Sequence, residues 1–529
     1  MKKKFNVFSL VFVLLLSTLL TACGSKKENE QTKESETAGT SQDHADAVTY
    51  GGSIVVGITN DLDSLDPHKA VAAGTSEVLF NMFEGLVKLN SNGDLVPAVA
   101  KDYKISEDGM KYTFILRDNV KFHNGKTVTV DDVVYSIKRC AGLLEENDPS
   151  VVQVLALSII SEINVIDEKT VELVLSEPNT ELLSYLTFAI IPDDYDQQDT
   201  APVGTGPFKF VSYEALGSLV VEKYEDYYIE GVPYLDRVTF KISADTQSAF
   251  MELLAGTIDI FPYLTQTQAS QLTSGYEIKV GNTNLVQALF LNNAAEPFQD
   301  IRVRQALCYA IDRQAILDFV AGGNGTLIGS NMFSNLKKYF NADLVDHYTY
   351  NVDKAKELLA EAGYGSGFSF TITVPSNYQF HVDTAQVIVE QLKQVGVTAN
   401  IQLVEWASWL NDVYKGRNYE ATIIGLDSDL APSDILLRYN SDSDKNFVNY
   451  SNKNFDETYQ MAIKTTDEAK KVEYYQQLQA LLCEDAASVY IQDPASLVAV
   501  NKKLGGYVFY PVYVQDMSLV YYKGEAENH

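Results

Sequence analysis

The sequence predicts an α/β protein organised as two lobes. Three observations lead there. The chain has 529 residues, more than a single hydrophobic core ordinarily serves. Short β-branched runs alternate with helical periodicity, as in a strand at 238–242, a helix at 246–255 and a strand at 258–261. One stretch, 109–139 (GMKYTFILRDNVKFHNGKTVTVDDVVYSIKR), also sets out a strand, a turn and a capped helix in succession. Tyr112, Phe114 and Leu116 point one way and Lys111 and Thr113 the other, the period of a half-buried strand. His123-Asn124-Gly125-Lys126 supplies turn residues. Thr129 is placed to cap a helix whose first turn carries Asp131 and Asp132 and whose apolar face is Val133, Val134 and Ile137.

At the N-terminus, Lys2, Lys3 and Lys4 precede an apolar run at 5–20 that is too short for a stable membrane span. The run ends in Leu20-Thr21-Ala22-Cys23-Gly24, which resembles the lipobox of bacterial lipoproteins. That resemblance implies that 1–22 is a lipoprotein signal peptide and that the Cys23 thiol carries a diacylglycerol anchor. Residues 23–49 are polar, cannot bury a core and read as a flexible tether. The totals of 41 basic and 71 acidic residues leave a net charge of −30, which argues against electrostatic binding of nucleic acid or anionic lipid. Cys140, Cys308 and Cys483 sit in apolar helical contexts without CxxC or metal-site spacing, as small buried side chains do.

From residue 53 a buried strand (53–58) leads into a loop with Asp61, Asp63 and Asp66, which lack EF-hand spacing and suit turn and capping duties. Val78, Leu79, Met82, Phe83 and Leu86 form the apolar face of a helix. Strands follow at 159–166 and 170–175, then a helix-like 182–188. The glycines of 201–210 (APVGTGPFKF) permit a tight turn beside a strand; neither GxGxxG nor GxxxxGK[ST] is completed, so a phosphate loop is excluded. A strand at 285–291 precedes the helical 301–320. A helix at 353–362, a strand at 368–374, a helix at 383–394 and a strand at 397–404 come next. Both tryptophans lie in 406–414, and a strand at 420–425 runs into the loop Leu426-Asp427-Ser428-Asp429-Leu430-Ala431-Pro432. A helix at 467–483 and strands at 488–491, 497–500 and 507–509 close the chain.

The wording of four stretches says more than their periodicity. LRDNVKFHNGKTVTVDDVVYSIKR, the SLDP turn with LFNMFEGLVKLNSNGDLVPAVAKDYKISEDG, APVGTGPFKF, and PFQDIRVRQALCYAIDR closely resemble the family 5 extracytoplasmic solute-binding proteins. These are the peptide, nickel and oligosaccharide receptors of ATP-binding-cassette importers, and the resemblance spans nearly all of 50–525. It implies a type II periplasmic-binding-protein-like fold. Lobe I spans 50–285 with an extra subdomain at about 85–195, lobe II spans 286–488, and 489–529 returns to lobe I. It also implies a hinge crossing near 283–290, closure on a ligand, delivery to permease subunits, and no catalysis or cofactor.

In peptide-binding relatives an aspartate in the loop after the 420–425 strand meets the peptide's amino group, a few residues before a DP pair. Here Ala431-Pro432 replaces that pair, and counting back puts Ser428 at the aspartate's place with Asp427 and Asp429 on either side. Dipeptide-specific relatives place an arginine for the ligand carboxylate after the 368–374 strand; Pro375-Ser376-Asn377-Tyr378-Gln379-Phe380-His381 has none. A buried carboxylate without such a partner is costly, so a longer peptide whose carboxylate reaches water fits better. Asn377, Tyr378, Trp406, Trp409 and Asn292 complete the candidate ligand residues. Three other readings stay open. An oligosaccharide suits the 32 tyrosines and the two tryptophans, and a nickel chelate has His381 as its one plausible imidazole. An anchored hydrolase lacks any GxSxG, HExxH or paired Cys/His. The reading is a monomeric, lipid-anchored, extracytoplasmic peptide receptor that holds no metal.

Overall fold

One strand, Ser488–Asn501, passes through both halves of the molecule and joins their sheets. The computed structural model describes residues 48–144, 148–272, 274–282, 284–428 and 430–524. Cys23, the tether up to residue 47, and Asp429 lie outside the described residues.

Lobe I begins with β1 (Ser53–Ile58) and α1 (Ala73–Leu79). The extra subdomain follows: β2 (Ala100–Ile105), β3 (Lys111–Leu116), α2 (Val130–Cys140), β4 (Ile160–Asp167) and β5 (Thr170–Leu175), in sheet order β2-β3-β5-β4. Its own core contains Tyr112, Phe114, Leu116, Val133 and Ile137, the residues that the strand and helix periods of 109–139 select. The helix starts as its sequence predicts. Asp132 N–H donates to Thr129 Oγ1 (3.4 Å), and Thr129 N–H donates back to the Asp132 carboxylate (2.8 Å). Lobe I resumes with β6 (Phe208–Glu214), β7 (Ser218–Lys223), β8 (Arg237–Ile242), α3 (Thr246–Leu254), β9 (Ile260–Phe261) and β10 (Tyr276–Asn282).

Lobe II consists of β11 (Val286–Leu291), α4 (Ile301–Ala310), α5 (Arg313–Val320), β12 (Gly325–Leu327) and α6 (Val352–Glu361). It continues with β13 (Ser369–Pro375), α7 (Gln379–Lys393), β14 (Thr398–Val404), β15 (Ala421–Leu426), α8 (Pro432–Leu436), α9 (Lys453–Lys464) and α10 (Glu468–Glu484). β16 is the joining strand Ser488–Asn501. The sheet order is β14-β13-β15-β11-β16-β9-β1-β8-β7-β6, with β10 and β12 also on β16. On β16, Ser488 to Gln492 pair with β11 of lobe II and Ala495 to Asn501 with β10 of lobe I. Among the described residues the two chain crossings therefore fall at 284–285 and 492–495, and the sheets share no single core.

Several elements differ from their sequence reading. The separate strands at 488–491 and 497–500 are one strand. Pro494, which looks like a breaker, sits where β16 changes partners, opposite Gly325 of the short β12. The helical 301–320 divides at Ile311, because the Asp312 carboxylate accepts from Ala315 N–H (3.0 Å) and starts a second helix. Helix α1 stops at Leu79. Met82, Phe83 and Leu86 are buried beyond its end, where the Asn81 amide donates to Val78 O and Gln515 O. Residues 182–188 contain only a 3₁₀ turn at Leu182–Tyr185, and 507–509 is not a strand. Asp63 takes the turn duty expected of it, accepting from Val71 and Ala72 N–H, while Asp66 also pairs with Arg139 at 2.6 Å, a role beyond turn and capping. Cys140, Cys308 and Cys483 are free and buried.

Candidate ligand-binding site

Parallel pairing decides which loops meet. Pro375 lies opposite Val404, and Thr373 opposite Thr422, so β13, β14 and β15 end along one edge of the lobe II sheet. At that edge Leu426 pairs with Val286, the first residue after the 284–285 crossing. In lobe I, β1 and β9 run parallel, and β9 places Ile260 opposite Val500 and Phe261 opposite Ala499. Their carboxyl ends thus point back along β16 toward the same crossing. Open α/β sheets bind ligands outside the carboxyl ends of their strands. The edge beside the crossing is the candidate site.

The structure brings Asn377 and Tyr378 (after β13), Trp406 (after β14) and Asp427 (after β15) to this edge, all exposed. Trp406, 36% exposed, stacks on Trp409 with ring centroids 5.2 Å apart and planes 6° apart, and Tyr378 meets it edge-on at 5.4 Å. Trp409 itself is 1% exposed, and its indole N–H donates to Thr422 Oγ1 at 2.9 Å. It is a core residue that backs Trp406. Ser428 is buried and spends its hydroxyl on Asp434 (3.0 Å), while its carbonyl accepts from Asn284 Nδ2 (2.6 Å). Arg438 donates to the Asp427 backbone carbonyl at 3.0 Å, and Asp427 itself is exposed. Asn292 is not brought to the edge. It follows the opposite end of β11, where Leu291 pairs with Ala421, and its amide donates to Arg417 O and Tyr419 O.

His381 is no open metal ligand. Gly425 N–H donates to its Nε2 (3.0 Å), and Gln287 Nε2 lies 2.9 Å from Nδ1. Burial pushes its pKa down to about 4, so the ring is neutral and serves to hold the end of β15. Among the described residues no cluster of three or more His, Cys, Asp or Glu is placed to hold a metal. A polar cavity of about 230 Å³ lies elsewhere, between α2 and the 191–199 segment. Five of its charges pair with one another: Lys69 with Asp148 and Asp199, and Asp66 with Arg139.

Three acidic groups escaped the sequence reading. Glu77 on α1 is buried, accepts from the Tyr263 hydroxyl, and is lifted by burial to a pKa of about 7. Asp493 is fully buried at the second crossing, accepts from Ser334 N–H (3.0 Å) and Oγ (2.7 Å), and is likewise pushed up to about 7 by burial. Glu181 of the extra subdomain is buried against lobe II. Each depends on a partner more than a hundred residues away in the chain, which no local pattern announces.

Comparison with known proteins agrees with this architecture. The 27% identity with the oligopeptide-binding protein AppA of Bacillus subtilis extends over 96% of this chain and 97% of that one. The heme-binding protein A of Haemophilus influenzae is 28% identical over 79% of this chain and 82% of its own. The crystal structure of the ABC transporter substrate-binding protein CtaP from Listeria monocytogenes superposes with a TM-score of 0.80 at 25% identity, covering 90% of this chain and 100% of that one. Residues 94–447 match the family described as bacterial extracellular solute-binding proteins, family 5, middle region. This chain belongs to family 5 of the bacterial extracellular solute-binding proteins.

Proposed function

We propose that this protein is the receptor of an ABC importer and that it captures peptides between its two lobes for delivery to the permease. The observation that carries the reading is the convergence of Tyr378, Trp406 and Asp427 at the carboxyl ends of three adjacent strands beside the crossing. Aromatic faces receive apolar side chains, and an exposed carboxylate receives an ammonium group. The oligopeptide-binding name of the Bacillus relative supports the same ligand class. The lobes meet at 284–285 and 492–495 in this reading, and each solute-bound state is a closed one. We further propose that Cys23 is lipidated and anchors a monomer at the outer face of the cell membrane. Among the described residues no helix is long and apolar enough to cross a membrane.

Asp427→Asn tests the assignment of the amine site. It is expected to weaken binding of a random peptide library with free amino termini by about tenfold or more, the worth of a hydrogen bond to a charged group. The N-acetylated library is expected to bind parent and variant alike in isothermal titration. Equal affinity of both proteins for the free-amine library contradicts the assignment and moves it to Asp429.

A further inference from the structure

Glu181 belongs to the extra subdomain, yet among the described residues every donor to its carboxylate comes from lobe II. The hydroxyls of Ser433 and Tyr475 donate to it, Ser433 N–H approaches at 3.4 Å, and Lys471 Nζ stands 3.7 Å away. The contact is enclosed by protein: Glu181, Ser433, Lys471 and Tyr475 are all buried. Neighbouring contacts continue the seam. Thr180 N–H donates to Ile463 O (2.9 Å), Lys471 Nζ to Thr180 O (3.4 Å) and Thr466 Oγ1 to Glu107 O (3.0 Å). Lys464 pairs with Glu177 at 3.4 Å on the seam's rim.

A buried carboxylate whose partners all lie on another body has two stable conditions, fully paired or fully hydrated. Taking two charges from water nearly cancels their attraction, so such a contact adds little net stability when made. Removing one partner is different, because it leaves an uncompensated buried charge. Ser433 comes directly after the 427–432 loop, which Asn284 at the crossing, Asp434 and Arg438 also tie. The carboxylate therefore holds one end of that loop while the crossing holds the other.

We propose that Glu181 is a positioning residue for this loop: by gripping Ser433 it clamps the loop's end to the extra subdomain, so that parting the lobes along this seam and releasing the loop are one event. Its functional meaning rests on the loop being the ligand loop; the clamp itself is testable without any ligand. Hydrogen–deuterium exchange on the ligand-free full chain reads it through the Thr180 amide. Glu181→Gln and Lys471→Met are each expected to speed exchange at 177–185 and at 431–440 by about tenfold or more, as expected for a broken buried pair. Exchange in the α7 core is expected to stay unchanged. The double variant is expected to fall short of the product of the single effects. Tyr475→Phe, which removes one donor and strands no charge, is expected to act in the same places more weakly, and it serves if a charge variant fails to fold. Exchange at 177–185 within about twofold of the parent, independent effects in the double variant, or acceleration spread equally over α7 each overturns the proposal.

Discussion

Trp409→Ala is expected to lower unfolding free energy by about 3–5 kcal/mol, the usual range for emptying a large buried aromatic site. Trp409 is among the largest fully buried side chains and sits in the lobe II core with Val286, Phe290, Phe447 and Ile424. Its loss also strands Thr422 Oγ1 from the indole N–H, although that hydroxyl keeps its own bond to Thr373 O (2.6 Å). Trp406→Ala removes a ring that is only partly covered, and its expected cost is about 1 kcal/mol or less. Urea denaturation separates the two. If Trp406→Ala costs as much as Trp409→Ala, Trp406 is structural and the aromatic half of the candidate site is lost. Ligand affinity is expected to fall in both variants, because Trp409 is the surface against which Trp406 is held at 5.2 Å.

Stability is expected to carry a signature of Asp493 between about pH 4 and pH 7. Burial raises this carboxyl from its ordinary 3.8 to about 7, while Ser334 N–H and Oγ pull the other way. Below pH 4 the group is protonated in the folded and unfolded chain, and it contributes nothing to the difference. Between about pH 4 and 7 the unfolded chain releases the proton and the folded chain retains it, so stability declines as pH rises. Above the folded pKa the whole cost is in place, at most about 4 kcal/mol. Asp493→Asn keeps an oxygen for Ser334 and removes the charge. The variant is expected to match the parent near pH 4 and to exceed it in urea midpoint near pH 8. A parent-minus-variant difference that does not change with pH contradicts the assignment. Glu77, raised to about 7 by the same cause, adds a decline of the same sign, which the Asp493→Asn comparison cancels.

Much of the scaffold is legible in the sequence because it depends on neighbours. The Thr129 cap, the alternation of Tyr112, Phe114 and Leu116, and the β13 and β15 strands follow from residues within a few positions of each other. The candidate edge is partly legible too, since Tyr378, Trp406 and Asp427 each follow a recognisable strand. Where burial depends on tertiary partners, the reading fails. Trp406 and Trp409 are three residues apart and look equivalent, yet one faces outward and the other is enclosed by Phe447 and Tyr414. Asn292 precedes a turn that looks like a lobe entrance, but antiparallel pairing puts it at the wrong end of β11. Pro494 hides a continuous strand, since proline normally ends one. Glu181 reads as one acid among many until Lys471 and Tyr475, nearly 300 residues later, are packed against it.

Native mass spectrometry of the protein, purified without refolding, reads the identity of its bound solute. A peptide receptor is expected to carry co-purified masses that resolve on release into peptides, with their length distribution read at once. Trp406→Ala and Asp427→Asn are expected to deplete that population. Released masses spaced by hexose units, or a nickel chelate, contradict the peptide reading while leaving the membership of the family intact.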